Sequence, residues 1–409
     1  MTDTKLENAR KLDAEDPLAS YRERFHHPQD AIYLCGHSLG LQPKAAAEKV
    51  QEELEDWKKL GVRGHREARR PWAPYHELLA QKGARIVGAE PAEVVHMNTL
   101  TVNVHLLMVS FYRPTPERHK ILIEEHAFPS DRYAVDSQIR FHGFDPAESL
   151  VEVGLDDDVH AAIDREGDSL ALVWLGGVNY YSGQVFDVRG ITEHAHERGA
   201  TAGFDLAHAA GNVQLALHDW NVDCAAWCTY KYLNGGPGAV AGAFVHERHA
   251  TRDDLPRFAG WWGHDKETRF EMGPVFAPIP GAEGWQLSNP PILSLAPVLA
   301  SYEMFDEVGM EALRAKSVRL TRYFEELVES ELADDVEVLT PREAERRGCQ
   351  LSLRFRRGNG RKLFEAISAR GVVCDWREPD VIRAAAAPLY NGFEDVHRFV
   401  ETLKEALAS

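Results

Sequence analysis

Between residues 90 and 246 the chain alternates short apolar runs with longer stretches whose apolar residues recur at helical spacing. Helices are predicted by this spacing at Thr101–Tyr112, Ser130–Arg140 and Val188–Arg198. The apolar runs predict β-strands at Val94–Asn98, Lys120–Glu125, Leu170–Leu175, Thr201–Asp205, Cys224–Cys228 and Ala239–His246. Because strands that alternate with helices form a largely parallel sheet covered on both faces, the pattern predicts an α/β fold.

The pattern changes after about residue 290. An amphipathic helical segment from Ile292 to Ser330 leads into a mixture of short strands and helices. These are predicted at Leu351–Phe355, Arg361–Arg370, Val372–Asp375, Val381–Ala386 and from Phe393 onward. The sequence therefore predicts a smaller C-terminal α+β domain. A further helix over residues 42–60 has few apolar positions, which is typical of a helix at an edge or interface.

Composition narrows the class of protein. The 409 residues are 44% hydrophobic and 27% charged, as in a globular chain long enough for two domains. The net charge of −18 argues against nucleic acid and anionic membranes as partners. No run approaches the roughly 18 apolar residues of a membrane span, and Met1–Asp16 lacks the apolar core of a signal peptide. We therefore expect a cytoplasmic protein.

The sequence lacks the motifs of several common kinds of binding site. The five cysteines form no C-x-x-C pair and no zinc spacing, so we expect reduced core cysteines and no metal site. No G-x-G-x-x-G follows a predicted strand, and no G-x-x-x-x-G-K-[ST] occurs. Dinucleotide-binding and P-loop functions therefore have no sequence signature here.

Lys231 is the most informative residue, because it stands between two tyrosines where an apolar run enters a glycine-rich turn. Asp205 ends an earlier predicted strand, and Glu125 and Thr229 also lie at or near strand ends. Ligands of parallel sheets bind beyond these ends. Pyridoxal phosphate (PLP) needs one lysine to hold its aldehyde covalently and one carboxylate to keep its ring nitrogen protonated. The sequence predicts such a site, the alternative being a lysine that merely reaches solvent.

Two other stretches suit the same cofactor. Thr99 and Thr101 lie where a predicted strand turns into a helix, and N–H groups at a helix start bind phosphate. Threonine is also an ordinary helix N-cap, so this signal alone is weak. Phe128 follows the next strand, where an aromatic ring can stack on a pyridine, and Pro129 suits a first helical position.

The chain carries a longer series of motifs from residue 36 to 391. They are Gly36–Pro43, Gly64–Trp72, Asn98–His105, Phe128–Asp131, Tyr181–Gln184, Gly203–Asn212, His218–Trp220, Tyr230–Asn234, Gly260–His264, Ser288–Pro291 and Pro388–Asn391. With this series the chain resembles the kynureninase family of PLP-dependent hydrolases. The resemblance covers nearly the whole chain.

The resemblance implies a fold-type-I (aspartate aminotransferase-like) PLP fold with a mostly parallel, seven-stranded-type sheet. It divides the chain into a segment (1–60) packing with the small domain or a dimer interface, a large PLP-binding domain (61–290) and a small domain (291–409). The implied reaction is hydrolysis of the Cβ–Cγ bond of L-kynurenine or 3-hydroxy-L-kynurenine, giving L-alanine and anthranilate or 3-hydroxyanthranilate. It belongs to tryptophan catabolism, can feed NAD biosynthesis, and is carried out by a homodimer.

The family's site residues can be carried over to matching positions. Lys231 would hold the cofactor, Tyr230 would touch its phosphate and transfer protons, and Asp205 would pair with the ring nitrogen. Further cofactor contacts are implied for Leu100, Thr101, Phe128, Pro129, Ser130, Asp131, His208, Trp261 and Asn289. Of these, Trp261 and Asn289 would complete the site of a neighbouring subunit. Substrate contacts are implied for Ser38, His65, Asn289 and Arg383, of which Arg383 would bind the α-carboxylate.

The chain departs from the family pattern at two positions. His37 replaces the asparagine usual before Ser-Leu-Gly, and Gly176 stands where relatives usually present a hydroxyl near the cofactor. His65, Ser288 and Asn289 resemble the set found in relatives that favour 3-hydroxykynurenine, so we expect that preference.

Two other functions stay open on the sequence. A cysteine desulfurase of the same fold type would need a reactive cysteine, for which Cys349 is the candidate by position. A PLP-binding protein without catalysis is disfavoured because both Lys231 and Arg383 are retained.

Overall fold

The computed structural model describes residues 4–252, 254–356 and 360–408. Its α-helices are α1 (Thr4–Ala14), α2 (Lys44–Leu60), α3 (Gly64–Glu67), α4 (Tyr75–Val87), α5 (Leu100–Phe111), α6 (Pro129–Phe141), α7 (Pro146–Ser149), α8 (Val159–Glu166), α9 (Val188–Glu197), α10 (Ile292–Val308), α11 (Met310–Leu332), α12 (Gly360–Ser368) and α13 (Phe393–Leu407). Within these described parts, no helix is long and apolar enough to cross a membrane.

The strands of the described residues form three sheets. They are β1 (Ile32–Tyr33), β2 (Val94–His96), β3 (Lys120–Glu124), β4 (Leu150–Val153), β5 (Leu170–Gly176), β6 (Thr201–Asp205), β7 (Cys224–Trp227), β8 (Gly242–Val245), β9 (Val336–Val338), β10 (Gln350–Phe355), β11 (Val372–Val373), β12 (Asp375–Arg377) and β13 (Val381–Ala385).

The large sheet has the strand order β2–β8–β7–β6–β5–β3–β4 among the described residues. All neighbouring strands from β7 to β4 are parallel, whereas β8 is antiparallel to both β7 and β2. The central strands β5, β6 and β7 are almost wholly buried, as expected for a sheet covered on both faces. The predicted α/β fold with a mostly parallel sheet is confirmed.

The small C-terminal domain is built on the antiparallel sheet β12–β13–β10–β9, and α13 packs against α11 and α12. The first helix, α1, packs on α13, and the Asp13 carboxylate accepts the backbone N–H groups of Phe393 and Glu394 at 2.7 and 2.9 Å. Strand β1 pairs in parallel with β11. The beginning of the chain therefore lies on the small domain.

Several elements were not predicted or are divided differently from the prediction, among them α1, α4, α8, β1, β4 and β9. The segment from Ile292 to Ser330 is divided between α10 and α11, because Gly309 between them adopts a φ of 77° that breaks the helical hydrogen bonding. Strand β4 was not predicted, because only one of its four side chains is fully buried at the edge of the sheet. The predicted helix over residues 42–60 is α2, which packs against α10.

A buried ionic network lies at the edge of the sheet opposite the carboxyl ends of the parallel strands. Asp223, just before β7, is 5% exposed. Its carboxylate accepts hydrogen bonds from His196 (2.7 Å), His249 (2.8 Å) and the backbone N–H of Ala202 (2.8 Å), and it pairs with Arg248. Burial alone would raise the pKa of Asp223, but the hydrogen bonds from the two histidines hold it below its ordinary value.

We expect Asp223→Asn to lower the free energy of unfolding at pH 7 by about 3 kcal/mol, because it leaves buried donors without a charged acceptor. Urea unfolding measures this loss. A lowered pKa means that the stabilisation is present above the ordinary carboxyl pKa near ~4 and is lost as the pH falls further.

Asp164→Asn is the matched control, since Asp164 also contacts a histidine and an arginine, His194 and Arg198, but lies on the surface. We expect this control to leave stability almost unchanged, because exposed ion pairs contribute little. Equal effects of the two substitutions would show that the buried network adds no more stability than the exposed ion pair of Asp164.

Candidate active site

A cavity lies beyond the carboxyl ends of β3, β5, β6 and β7. The strand ends, the N-termini of α5 and α6 and the loop after β7 contribute its lining: Thr99, Leu100, Thr101, Glu124, Phe128, Ser130, Asp131, Trp174, Gly176, Val178, Tyr180, Asp205, Ala207, His208, Tyr230 and Lys231. Nine of the residues predicted to bind the cofactor therefore meet in one place: Leu100, Thr101, Phe128, Ser130, Asp131, Asp205, His208, Tyr230 and Lys231. Pro129 begins α6 beside them.

Lys231 lies close to a histidine and an aromatic ring. Its Nζ is 3.1 Å from Nε2 of His208 and 5.7 Å from the centre of the Phe128 ring. Burial and the neighbouring Lys231 charge both lower the pKa of His208, which keeps the imidazole neutral. A neutral ring nitrogen can accept a hydrogen bond from the lysine.

Asp205 ends β6 and is buried, and its carboxylate accepts the backbone N–H of Ala207 at 2.7 Å. Burial raises the pKa of Asp205, and the charge of Lys231 opposes that rise. A carboxylate and a lysine therefore face the same cavity, as the sequence predicted from their positions at strand ends.

Two further buried carboxyl groups border the cavity. Asp131 accepts the indole N–H of Trp174 at 3.0 Å, and burial together with Asp205 raises its pKa. Glu124 accepts the backbone N–H of Gly176 at 3.1 Å, and burial raises the pKa of Glu124 to about 7. Sequence reasoning missed Glu124 and pointed instead to Glu125, whose side chain is 56% exposed.

The absent side chain at Gly176 makes room for Glu124. A Cβ atom at this position would lie 2.9 Å from Glu124 Oε1, which is closer than real contacts allow. The space next to the Gly176 backbone is thus occupied by the Glu124 carboxyl group.

The N-termini of two helices open on the cavity. Neither Thr99 before α5 nor Phe128 before α6 caps its helix with a side-chain hydrogen bond. The first N–H groups of these helices carry the positive end of the helix dipole. They form an environment that favours a phosphate group.

Ser38 and Arg383 lie in a second cluster, around Asp375. Both donate hydrogen bonds to the Asp375 carboxylate. Arg383 is 1% exposed, and its Nη1 donates to the backbone oxygen of Tyr180 at 2.7 Å. The Cζ atom of Arg383 is 5.7 Å from the centre of the Tyr180 ring. Since Tyr180 also lines the cavity, Tyr180 contacts both groups of residues.

Besides Ser38 and Arg383, three other predicted site residues lie outside the cavity. Trp261 is 42% exposed, and its indole N–H donates to the backbone oxygen of Arg269 at 3.0 Å. His65 is exposed beside Trp72, and Asn289 is exposed before α10. Within one chain none of the three lines the cavity that contains Lys231.

The kynureninase of Myxococcus xanthus (strain DK1622) is 58% identical over 409 residues, covering 97% of this chain and 96% of that protein. The chain belongs to the kynureninase family. The kynureninase of Koribacter versatilis (strain Ellin345) is 56% identical over 98% of this chain and 97% of its own length. The family model described as the kynureninase C-terminal domain matches residues 313–403.

Solved structures show the same fold as this kynureninase-family chain. A C-DES variant with glycine covalently linked to its PLP cofactor superimposes with a TM-score of 0.78 at 16% identity, covering 93% of this chain and 98% of its own. A cysteine desulfurase from Escherichia coli has a TM-score of 0.77 at 17% identity, covering 96% of this chain and 98% of its own. The fold-type-I prediction is confirmed.

The cavity of this kynureninase-family chain fits PLP by the chemistry of its groups. It combines a lysine amine for the aldehyde, a carboxylate for the ring nitrogen and uncapped helix N-termini for the phosphate. The buried Nδ1 of His208 has no hydrogen-bond partner in the described parts of the chain, so this side of the site still has a free polar group.

The structure argues against the desulfurase alternative, for which Cys349 was the candidate residue. Cys349 is fully buried, and burial raises the pKa of its thiol to about 12. A reactive cysteine must be accessible and readily ionised. Cys349 therefore has a structural role, and its backbone N–H donates to the Asn212 side chain at 2.9 Å.

Proposed function

We propose that the chain uses PLP to hydrolyse the Cβ–Cγ bond of L-kynurenine or 3-hydroxy-L-kynurenine, giving L-alanine and anthranilate or 3-hydroxyanthranilate. The observation that carries the proposal is the meeting of Lys231, Asp205 and His208 in one cavity of a kynureninase-family chain. The role is in tryptophan catabolism. The location proposed is the cytoplasm, where the five free cysteines stay reduced.

Each residue has a proposed task. PLP, when bound, withdraws electrons from the substrate's Cα and so makes its proton removable. Lys231 Nζ takes this proton, and the uncapped turns of α5 and α6 bind the phosphate. Burial and the neighbouring Cys228 raise the pKa of Tyr230, so its hydroxyl stays protonated and can deliver a proton to Cβ.

Arg383 would hold the substrate's α-carboxylate. Its guanidinium is almost fully buried, and its Nε has no hydrogen-bond partner in the described parts of the chain. A buried donor without a partner is costly unless a ligand supplies the acceptor. A carboxylate matches this geometry because the guanidinium can bind both of its oxygens.

The direct test incubates purified protein and PLP with each substrate and follows anthranilate or 3-hydroxyanthranilate by fluorescence and L-alanine by amino-acid analysis. Stoichiometric release of both products supports the proposal. A PLP-loaded protein that releases neither product would instead favour binding without catalysis, and sulfide release from cysteine would favour the desulfurase.

We predict a higher kcat/KM for 3-hydroxykynurenine, by about tenfold, because His65 and Asn289 can hydrogen-bond a ring hydroxyl and lose that bond with kynurenine. Side-by-side turnover of the two substrates measures the ratio. His65→Leu and Asn289→Leu should narrow the gap, whereas His160→Leu, at a half-buried position outside the lining of the cavity, should leave it unchanged. Equal or better use of kynurenine by the unaltered protein would contradict the predicted preference.

A homodimer is part of the same proposal. Large apolar side chains are exposed along one segment of the isolated chain: Phe258, Trp261, Phe270, Met272 and Val275. Their exposed fractions range from 42% to 75%. Exposed apolar groups concentrated in one segment suit a protein interface. A second copy covering this segment would bring Trp261, Asn289 and His65 toward its own cavity.

We predict that a mixture of the inactive variants Lys231→Ala and Trp261→Ala regains part of the activity after subunit exchange, because one site of the hybrid dimer has both native residues. Light scattering before and after mixing checks the oligomeric state. Mixing Lys231→Ala with Lys231→Arg is the control, since no hybrid of these two has an intact lysine. An active monomer would rule out the shared site.

A further inference from the structure

His37 is fully buried, yet neither of its ring nitrogens has a hydrogen-bond partner in the described parts of the chain. Burying an imidazole without partners costs free energy. A buried polar side chain of this kind points to a missing ligand.

The position of His37 is between the cavity and the Arg383 cluster. On one side, its ring centre is 6.5 Å from that of His208, whose Nε2 contacts Lys231. On the other side, its Nε2 is 3.6 Å from Oδ2 of Asp375, which also accepts from Arg383. His37 therefore lies near His208 of the cavity and near Asp375 of the Arg383 cluster.

The surroundings of His37 offer more donors than acceptors. One oxygen, Oδ2 of Asp375, accepts hydrogen bonds from Ser38, Arg377 and Arg383. Two guanidinium groups thus face a single carboxylate, and the Nε of each has no partner in the described structure. The imbalance of charge and of donors calls for a second carboxylate.

His37 is suited to donate to such a group as a neutral ring. Burial and then the charges of Arg383, Arg377 and Lys231 lower the pKa of His37. Neutral imidazole carries one N–H donor, as an asparagine amide also can. His37 can therefore offer one hydrogen-bond donor to a carboxylate while it stays neutral.

We propose that His37 binds the α-carboxylate of the substrate, donating a hydrogen bond to it beside the guanidinium of Arg383. The proposal rests on the proposed function, because an amino acid whose Cα lies near Lys231 has its carboxylate one bond further on. That carboxylate then falls in the space between Lys231 and Arg383. His37 would select free α-amino acids over their decarboxylated analogues.

The test compares His37→Phe, which keeps a ring but has no donor, with His37→Asn, which restores one. KM and kcat are measured with kynurenine, and the inhibition constant is measured for its decarboxylated analogue. We expect His37→Phe to raise KM about tenfold or more, because a hydrogen bond to a charged group is lost. The inhibition constant of the analogue and kcat should stay within about threefold, and His37→Asn should stay near the unaltered protein.

Two controls keep the result interpretable. His249→Phe removes another buried histidine, which lies at the opposite edge of the sheet, and should leave KM unchanged. If His37→Phe does not fold, His37→Leu takes its place, and a KM above about threefold in His37→Asn also counts against the proposal. An unchanged KM, or equal weakening of substrate and analogue, would overturn the role of His37. Failure of the unaltered protein to cleave kynurenine would instead overturn the proposed function.

Discussion

Lys231→Ala is expected to fold and to lose at least about 10³-fold in turnover, together with all covalently held PLP. Turnover falls because the substitution removes the amine that takes the Cα proton, and a positioned base contributes about 10² to 10⁴ in rate. Folding survives because Asp205, whose pKa burial already raises, can take up a proton once the lysine charge is gone. Borohydride reduction followed by mass spectrometry measures the covalent attachment directly.

The control for this variant is Lys231→Arg, which keeps a positive charge near Asp205 but cannot act as an amine nucleophile or base. We expect it to be as inactive as Lys231→Ala and equally free of covalent cofactor. Cofactor that remains attached after reduction in either variant would mean that another lysine holds it, and the assignment of Lys231 would be wrong.

Local sequence signals predicted the part of the site that lies along consecutive strand ends. Lys231, Asp205 and Phe128 could be found because each follows or ends an apolar run, and parallel strands bring such ends to one edge. The choice between Glu124 and Glu125 could not be made in this way. The side chains of neighbouring residues in a strand point to opposite faces of the sheet. An error of one residue in the predicted strand end therefore selects the exposed Glu125 in place of the buried Glu124.

The contact between Arg383 and Asp375 could not be predicted from the sequence for a different reason. Asp375 stands directly opposite Arg383 because β12 and β13 pair in an antiparallel register. Strand β12 has three residues, too few for a periodic pattern to establish its partner or register. Arg383 was therefore predicted without the carboxylate that it contacts in the folded chain.

Residues that require a second chain form a third group. His65, Trp261 and Asn289 are exposed in the isolated chain. Nothing in the local pattern distinguishes a tryptophan that will be covered by a partner from one at the surface. Their suggested roles came from the family resemblance, and they stay predictions that the mixing experiment addresses.

Asp205→Asn is expected to slow Cα-proton removal by about 10³-fold, equivalent to about 4 kcal/mol of barrier. An amide cannot balance the positive charge of a protonated ring nitrogen, so the bound cofactor withdraws electrons less strongly. The phosphate contacts at α5 and α6 are untouched, and PLP should still bind. Exchange of the Cα proton of L-alanine with deuterated solvent, followed by NMR, measures this step without depending on bond cleavage.

Two variants separate the charge of Asp205 from its shape. Asp205→Glu restores a carboxylate and should recover part of the exchange rate. Asp131→Asn alters the neighbouring carboxyl, which is bound to Trp174, and should slow exchange by no more than about tenfold, because Asp205 keeps its charge. Unchanged exchange in Asp205→Asn would remove Asp205 from the role of ring-nitrogen partner. Equal losses in Asp205→Asn and Asp131→Asn would mean that the buried carboxyl pair acts as a unit.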